Sequence, residues 1–311
     1  MLARAADNIF WMARTVERAE HIARLMEVSM RSAMLPAQGG NGGRLSDWET
    51  PLYMTGQVDD FFSRYEKVTE GRVLSYMILD KHNPSSIRSA LGAARENARA
   101  VRHLLTSELW EILNRTWLDT ADMTWNDVTR IGVPQHLEWV RFRSHLFRGA
   151  LFGSQRRAEG FHIAGFGMAV ERADNTARLL RAKWDSLQGD ATVRAPDFYR
   201  AGVLLETLSA YKAYRETFSA QLEPRRIAEL LIQRPDVPRS LAFCVREMDV
   251  MLRAMDPDSP LLGDLGALSR RLEGVQMVDL VRVGLHRFLD EIIAEVGRLS
   301  DRMRAHYLMV V

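Results

Sequence analysis

Val16-Glu17-Arg18-Ala19-Glu20-His21-Ile22-Ala23-Arg24-Leu25 recurs 154 positions later as Val170-Glu171-Arg172-Ala173-Asp174-Asn175-Thr176-Ala177-Arg178-Leu179, with seven of the ten residues identical. The same offset of 154 relates Arg72-Val73 to Arg226-Ile227, and Pro84 and Ser86 to Pro238 and Ser240. Three separate matches at one offset predict an internal duplication with almost no change of length between the anchor points. The expected organisation is a first half over residues 1–154 and a second over 155–311, integrated into one domain about a pseudo-twofold axis. Such an axis would bring the two repeated segments close together.

Outward from the first copy, Ile9, Met12, Val16, Ala19, Ala23, Met26, Met30 and Ala33 follow one another at spacings of three and four. An apolar seam of that period predicts one long helix, from about residue 2 to 34. Pro36 and the run Gly39-Gly40-Asn41-Gly42-Gly43 end it. The run has no Gly-Lys-Ser/Thr sequel, so it reads as an exposed connection and not as a phosphate-binding loop. Asn83-Pro84-Ser85-Ser86 reads as a helix start, with a capping side chain and proline in the first turn. The helix behind it carries Ile87, Leu91, Ala94, Ala98, Val101 and Leu105. Asp236 and Pro238 open a similar helix with Leu241, Val245, Met248 and Leu252. Further helical periods lie near 134–153, 155–187, 197–220 and 276–308, and no strand pair with a hairpin turn is evident. The expected fold class is all-α, a helical bundle of two tandem related halves.

The composition bounds the function. Hydrophobic residues make up 47% and charged residues 26%, a globular balance. A net charge of +2 gives no general nucleic-acid footprint. Only four of the 42 basic residues are lysines (Lys67, Lys81, Lys183, Lys212), a bias that fits a GC-rich coding sequence or a use for forked guanidinium groups. Cys244 is the one cysteine and stands in an apolar stretch, so no intrachain disulfide is expected and the cytoplasm is the natural compartment. Arg4, Asp7 and Arg14 interrupt any apolar signal near the start. No uncharged run reaches the ~18 residues that a membrane helix needs; residues 160–170 are too few and glycine-rich.

The repeated motif carries the chemistry. Glu20 and Arg24, and likewise Asp174 and Arg178, stand four apart with the acid first, the favourable order for a helix-surface ion pair of ~0.2–0.5 kcal/mol. Glu17 and Arg18 are neighbours and point in different directions. Arg18 falls in line with Trp11 and Leu25, an otherwise apolar line, so its side chain is expected to be at least partly buried. A buried arginine needs a carboxylate. About a pseudo-twofold, the expected cross-pairs are Glu17 with Arg172 and Glu171 with Arg18. They form either a lock between the halves or a polar pocket for an acidic or amide ligand. A third reading is metal. Helical di-iron proteins use Glu-x-x-His, which Glu159 and His162 match, with Glu17, Glu20, Glu171 and Asp174 as further carboxylates. One such pair stands alone, and the motif has His21 in one copy but Asn175 in the other, so no metal and no cofactor is expected. Arg156-Arg157 and Arg225-Arg226 read as solvated faces, and Trp110, Trp117, Trp125 and Trp139 as packing residues.

Asn8-Ile9-Phe10-Trp11-Met12-Ala13-Arg14 followed by Glu17-Arg18-Ala19-Glu20 resembles the signature of the bacterial alpha-E family. So do Glu159-Gly160-Phe161, Glu171-Arg172-Ala173-Asp174, Thr176-Ala177-Arg178, Asn83-Pro84-Ser85-Ser86-Ile87, Ala93-Ala94-Arg95-Glu96-Asn97-Ala98-Arg99 and Pro238-Arg239-Ser240. The resemblance covers essentially the whole chain in order. It implies an all-helical fold and a partner: such genes sit beside, or are fused to, circularly permuted ATP-grasp proteins, often with transglutaminase-like proteins nearby. It therefore implies an accessory role in ATP-dependent formation or modification of amide or peptide bonds. The implied signature residues are Glu17, Arg18, Glu20, Arg24, Glu171, Arg172, Asp174 and Arg178. The family has Gly-Arg before each motif, where this chain has Ala13-Arg14 and Gly167-Met168, so a symmetric role for Arg14 is not expected. The alternatives are a helical enzyme using Glu17 and Glu171 as acid/base groups or metal ligands, and a scaffold without a pocket.

Overall fold

Thirty-one consecutive residues without glycine or proline form α1 (Ala3–Ala33). Most of its faces are buried, including the side chains of Glu17, Glu20, His21 and Arg24, so α1 is a central helix and not a surface one. The structure is a computed structural model that describes residues 1–34, 46–188, 194–218 and 221–308. Pro36 and the glycine run expected to end α1 lie outside the described residues.

The chain continues through α2 (Thr50–Thr55), α3 (Val58–Arg64), α4 (Glu70–Ile78), α5 (Ile87–Ala100), α6 (Ser107–Thr120), α7 (Trp125–Ile131) and α8 (Val133–Ser154). The second central helix is α9 (Glu159–Gln188). After it come α10 (Arg194–Thr207), α11 (Tyr211–Phe218), α12 (Pro224–Gln233), α13 (Leu241–Met255), α14 (Leu261–Gly274), α15 (Met277–Val283) and α16 (Leu285–Met303). The class is all-α, with no strand among the described residues. None of the described helices is long and apolar enough to cross a membrane.

The packing runs in parallel on the two sides. α1 lies against α9, and each is flanked by two further helices: α5 and α8 beside α1, α13 and α16 beside α9. The helix starts match as well. The Ser86 Oγ caps α5 by accepting from Ser89 N–H (3.1 Å) and donates to the Asp80 carbonyl (2.7 Å). The Ser240 Oγ caps α13 by accepting from Phe243 N–H (3.0 Å) and donates to the Arg234 carbonyl (2.5 Å). α2 and α10 end alike, each on a left-handed residue, Gly56 (φ 67°) and Ser209 (φ 55°). Gln57 N–H donates to the Leu52 carbonyl, as Ala210 N–H does to that of Leu205. This is the closure that left-handed helix ends use to satisfy their last carbonyls.

Two expected helices are each broken in two. The span 197–220 divides at Ser209, because the left-handed turn reverses the chain there. The span 276–308 divides at Gly284 and ends in a π-turn over Arg304–Leu308. Leu105 lies beyond α5, behind a 3₁₀ turn over Arg102–Leu104.

α1 and α9 approach closely because α9 presents Gly167 to Phe10. A Cβ there would stand 3.0 Å from the Phe10 carbonyl oxygen and 3.1 Å from its ring. Backbone cannot yield as a flexible side chain does. Gly167→Leu is therefore expected to cost ~1–3 kcal/mol through overpacking, read by urea unfolding. Gly149→Ala on α8, where a Cβ meets nothing within 4 Å, is expected to gain up to about 1 kcal/mol from helix propensity. Equal effects at the two positions would contradict the close approach.

Candidate functional site

Where α1 and α9 pack, the two Glu-Arg steps exchange partners. Arg172 grips Glu17 with both arms of its fork, Nε to Oε1 and Nη2 to Oε2, each at 3.0 Å. Arg18 grips Glu171 in the same way, at 2.7 and 3.1 Å. The structure thus brings together both cross-pairs that the sequence pattern points to. Bidentate pairs of this kind fix direction as well as distance. Glu17 and Glu171 are buried, and Arg18 is half-buried.

Each carboxylate takes further donors, from different places. Arg14 donates to Glu171 (2.8 Å), stacks over Trp11, and reaches the Ser300 hydroxyl on α16 (2.8 Å). Met168, at the matching place on α9, has no charge to offer Glu17. Arg148 of α8 does so instead (2.9 Å) and also bonds Glu20 (2.5 Å). Arg239, just before the cap of α13, bridges Glu17 (3.3 Å) and Glu20 (2.5 Å).

Glu20 and Arg24 depart from the expected surface pair. Their bond is present at 2.8 Å, but Glu20 is wholly buried and Arg24 nearly so. The reason is the crowd around Glu20, with Arg148, Arg239 and the Ser144 hydroxyl (2.7 Å) closing over it. Arg24 itself donates to the Thr207 carbonyl and to Ser209 Oγ (3.3 Å), tying down the left-handed end of α10. The matching pair, Asp174 and Arg178, is bonded at 2.7 Å and partly exposed, as a helix-surface pair should be.

Burial would raise the Glu17 carboxyl and Glu20 adds to that, but Arg172, Arg148 and Arg239 override both and hold it at about 2. Glu20 follows the same balance: burial opposes, while His145, Arg239, Arg148 and Arg24 take it well below the usual range. Glu171 is likewise lowered, burial being outweighed by Arg18 and Arg14. Burial and the neighbouring Arg24 and Arg172 lower Arg239 to about 10, against the pull of Glu20 and Glu17. Four guanidinium groups, of Arg24, Arg148, Arg172 and Arg239, thus serve two carboxylates.

Beside this network a cleft of about 330 Å³ opens. Arg18, His21 and Ile22 line it from α1, and Glu171, Asp174, Asn175 and Arg178 from α9; residues 53–56 and Ser85 close the rim. Asn175 is buried, and its Nδ2 has no hydrogen-bond partner. His21 is buried at the inner end, and burial, reinforced by Arg239, depresses its imidazole to about 4.

Other expected residues lie elsewhere. Glu159 accepts from the Met1 ammonium (2.6 Å), and His162 meets the edge of the Phe161 ring. Among the described residues no three His, Cys, Asp or Glu side chains group as metal ligands do. Cys244 is buried, and burial raises its thiol to about 12, so it is inert packing. Sequence reasoning did not assign Arg148, Arg239 or Ser144 to the site. One signal was available: Ser144 interrupts the apolar stripe Leu137, Val140, Phe147 and Leu151 on α8, which marks a polar neighbour. Nothing near Arg239 shows what it bonds, because its partners lie more than 200 residues away.

The fold and site define a helical protein centred on two crossed Glu-Arg pairs. A family model described as "Alpha-E: A predicted alpha-helical domain with a conserved ER motif" matches residues 1–308. The chain belongs to the Alpha-E family, and its Glu-Arg step stands twice, at Glu17-Arg18 and Glu171-Arg172. It is similar to uncharacterized proteins of Mycobacterium bovis and Mycobacterium tuberculosis, 23% identical over 97% of this chain in both cases. The chain spans about a third of the length of these relatives, 34% in each. No solved structure matches it.

Removing one member of a buried ion cluster strands the rest. Glu17→Gln is expected to cost ~3–5 kcal/mol in urea unfolding, and Arg178→Ala well under 1 kcal/mol. Acid should also act here. His21 and His136 are both buried and held at about 4, from an ordinary 6.5. Their unfolded forms take up protons first, so stability is full above about pH 6.5 and falls toward pH 4. His21→Asn should shrink the loss of unfolding midpoint between about pH 7 and pH 5; an unchanged loss would show that His21 does not contribute.

Proposed function

We propose that this chain is an accessory subunit of an ATP-grasp-dependent system that forms or modifies amide or peptide bonds. In this reading it consists of two related halves, residues 1–154 and 155–311, arranged about a pseudo-twofold. The crossed Glu-Arg pairs are the lock between them, and the cleft beside the lock holds a ligand. A circularly permuted ATP-grasp protein, with a transglutaminase-like protein as a further associate, supplies the bond chemistry, and the setting is cytoplasmic. The observation that carries the accessory role is the engagement of Glu17 and Glu171 by arginine. Each accepts guanidinium bonds on both oxygens, and Glu17 is held at about 2. Neither is then a proton acceptor near neutral pH, where a general base needs a pKa close to the working pH. This weighs against a stand-alone enzyme built on the two glutamates. The unpartnered Asn175 amide in the cleft weighs against a scaffold without a pocket. The length of the relatives supports a partner: in them a match to this chain is joined to about twice as much other sequence.

The test is affinity purification of the tagged full chain from its native host, with co-purifying proteins identified by mass spectrometry. Recovery of an ATP-grasp protein is expected. Its absence under several growth conditions, or tight ATP binding by this chain alone, would contradict the accessory role.

A further inference from the structure

The two copies of the motif carry equivalent groups in unequal surroundings. Around the α1 copy, Glu17 and Glu20 are bridged by the Arg239 guanidinium. The matching carboxylates on α9, Glu171 and Asp174, both line the open cleft. Arg239 immediately precedes the capping Ser240 of α13, and Ser85 immediately precedes the capping Ser86 of α5. Ser85 therefore stands where Arg239 stands, 154 residues earlier, and it too lines the cleft. One place is filled by the chain's own guanidinium. The other lacks it and is open.

We propose that the cleft binds a guanidinium group, seated between Glu171 and Asp174 as Arg239 is seated between Glu17 and Glu20. The proposal rests on the reading of this cleft as a ligand site. Glu171 Oε1 accepts from Arg18 alone among the described residues, whereas Glu17 Oε1 accepts from both Arg172 and Arg239. Glu20 takes Arg24, Arg148, Arg239 and Ser144, whereas among the described residues Asp174 takes Arg178 alone, through Oδ2. Aspartate is also one methylene shorter than the glutamate it matches, which widens the opening. Arg14 occupies Glu171 as Arg148 occupies Glu17, so the missing member of the set is the Arg239 equivalent. Asn175 lines the same cleft, nine-tenths buried, and its Nδ2 has no partner, a need that an acceptor on the ligand would meet. A guanidinium with a nearby carbonyl or carboxylate is arginine, either free or as a residue of a peptide.

The experiment is calorimetric titration of the folded full chain with L-arginine, with acetyl-Gly-Arg-Gly-amide, and with L-glutamate. Variants Asp174→Asn and Ser85→Arg are checked for folding by circular dichroism. One-to-one binding of an arginine probe is expected. Asp174→Asn should weaken it at least about tenfold, by loss of a charge-assisted bond. Ser85→Arg should abolish it, because the new side chain fills the cleft from within. Binding of L-arginine but not the tripeptide assigns a free ligand; binding of the tripeptide assigns an arginine residue. Failure of both arginine probes, or binding that neither variant alters, overturns the proposal. Binding of L-glutamate alone, removed by Ser85→Arg, would overturn the guanidinium while leaving the cleft a ligand site. No binding of any probe, with partner recovery unaffected by Ser85→Arg, would remove both.

Discussion

Glu17 and Glu171 each reach across from one central helix to an arginine on the other, and the arrangement of everything else follows from that exchange. Two carboxylates are taken out of water between α1 and α9, and their guanidinium partners are partly so. Desolvation of this kind costs several kcal/mol per ion, and the Coulomb attraction offsets it only when the geometry is good and the remaining lone pairs are filled. Here the forks are bidentate, Arg148 and Arg239 add bonds to Glu17, and Arg14 adds one to Glu171. Apolar side chains of the same volume can match such a cluster in stability. What they cannot supply is direction. The crossed pairs set the register of α1 against α9, and Gly167 permits the close approach that the pairs require.

The same ten-residue motif does two different jobs because its neighbours differ. On α1 it is sealed. Arg148 comes from α8, Arg239 from the turn before α13, and Arg24 reaches out to hold the end of α10. On α9 it is half open, with Ser85 at the position matching Arg239 and a partly exposed Arg178 at the position matching the buried Arg24. His21 lies between the two, neutral, and feels the charges of both. One copy thus serves as rigid core while the other keeps side chains available, a division that a strictly symmetric pair could not make.

Much of this was legible in the chain. The seam from Ile9 to Ala33 predicts α1 with its observed extent to within a residue or two; Pro84 and Pro238 stand just before two helices, but the caps are Ser86 and Ser240, not Asn83 and Asp236, so neither proline lies in a first turn. The cross-pairing of Glu17 with Arg172 and Glu171 with Arg18 followed from one idea, that a repeated buried charge needs a repeated partner. The fate of Glu20 was not legible. An acid four residues before a base reads as a surface pair, and only partners more than a hundred positions away, Arg148 and Arg239, turn it into a core pair. Local periodicity carries no information about such contacts. The asymmetry of Arg14 and Met168 was visible, but its compensation by Arg148 was not, because α8 shows just a serine in an apolar stripe. The cleft was not legible either, because residues 53–56 and Ser85 carry no local sign that they line it with α1 and α9.

If the crossed pairs couple α1 to α9, a double-mutant cycle reads that coupling as an energy. Urea unfolding of Arg18→Met, Glu171→Gln and the double variant isolates the energy of that pair from the separate costs of each change. A coupling of at least about 1 kcal/mol is expected, the double variant being less damaged than the two single losses imply, because neither partner is then left without its counterpart. Additivity within about 0.3 kcal/mol would contradict it, and would mean that the two helices are held by apolar packing with the charges as passengers.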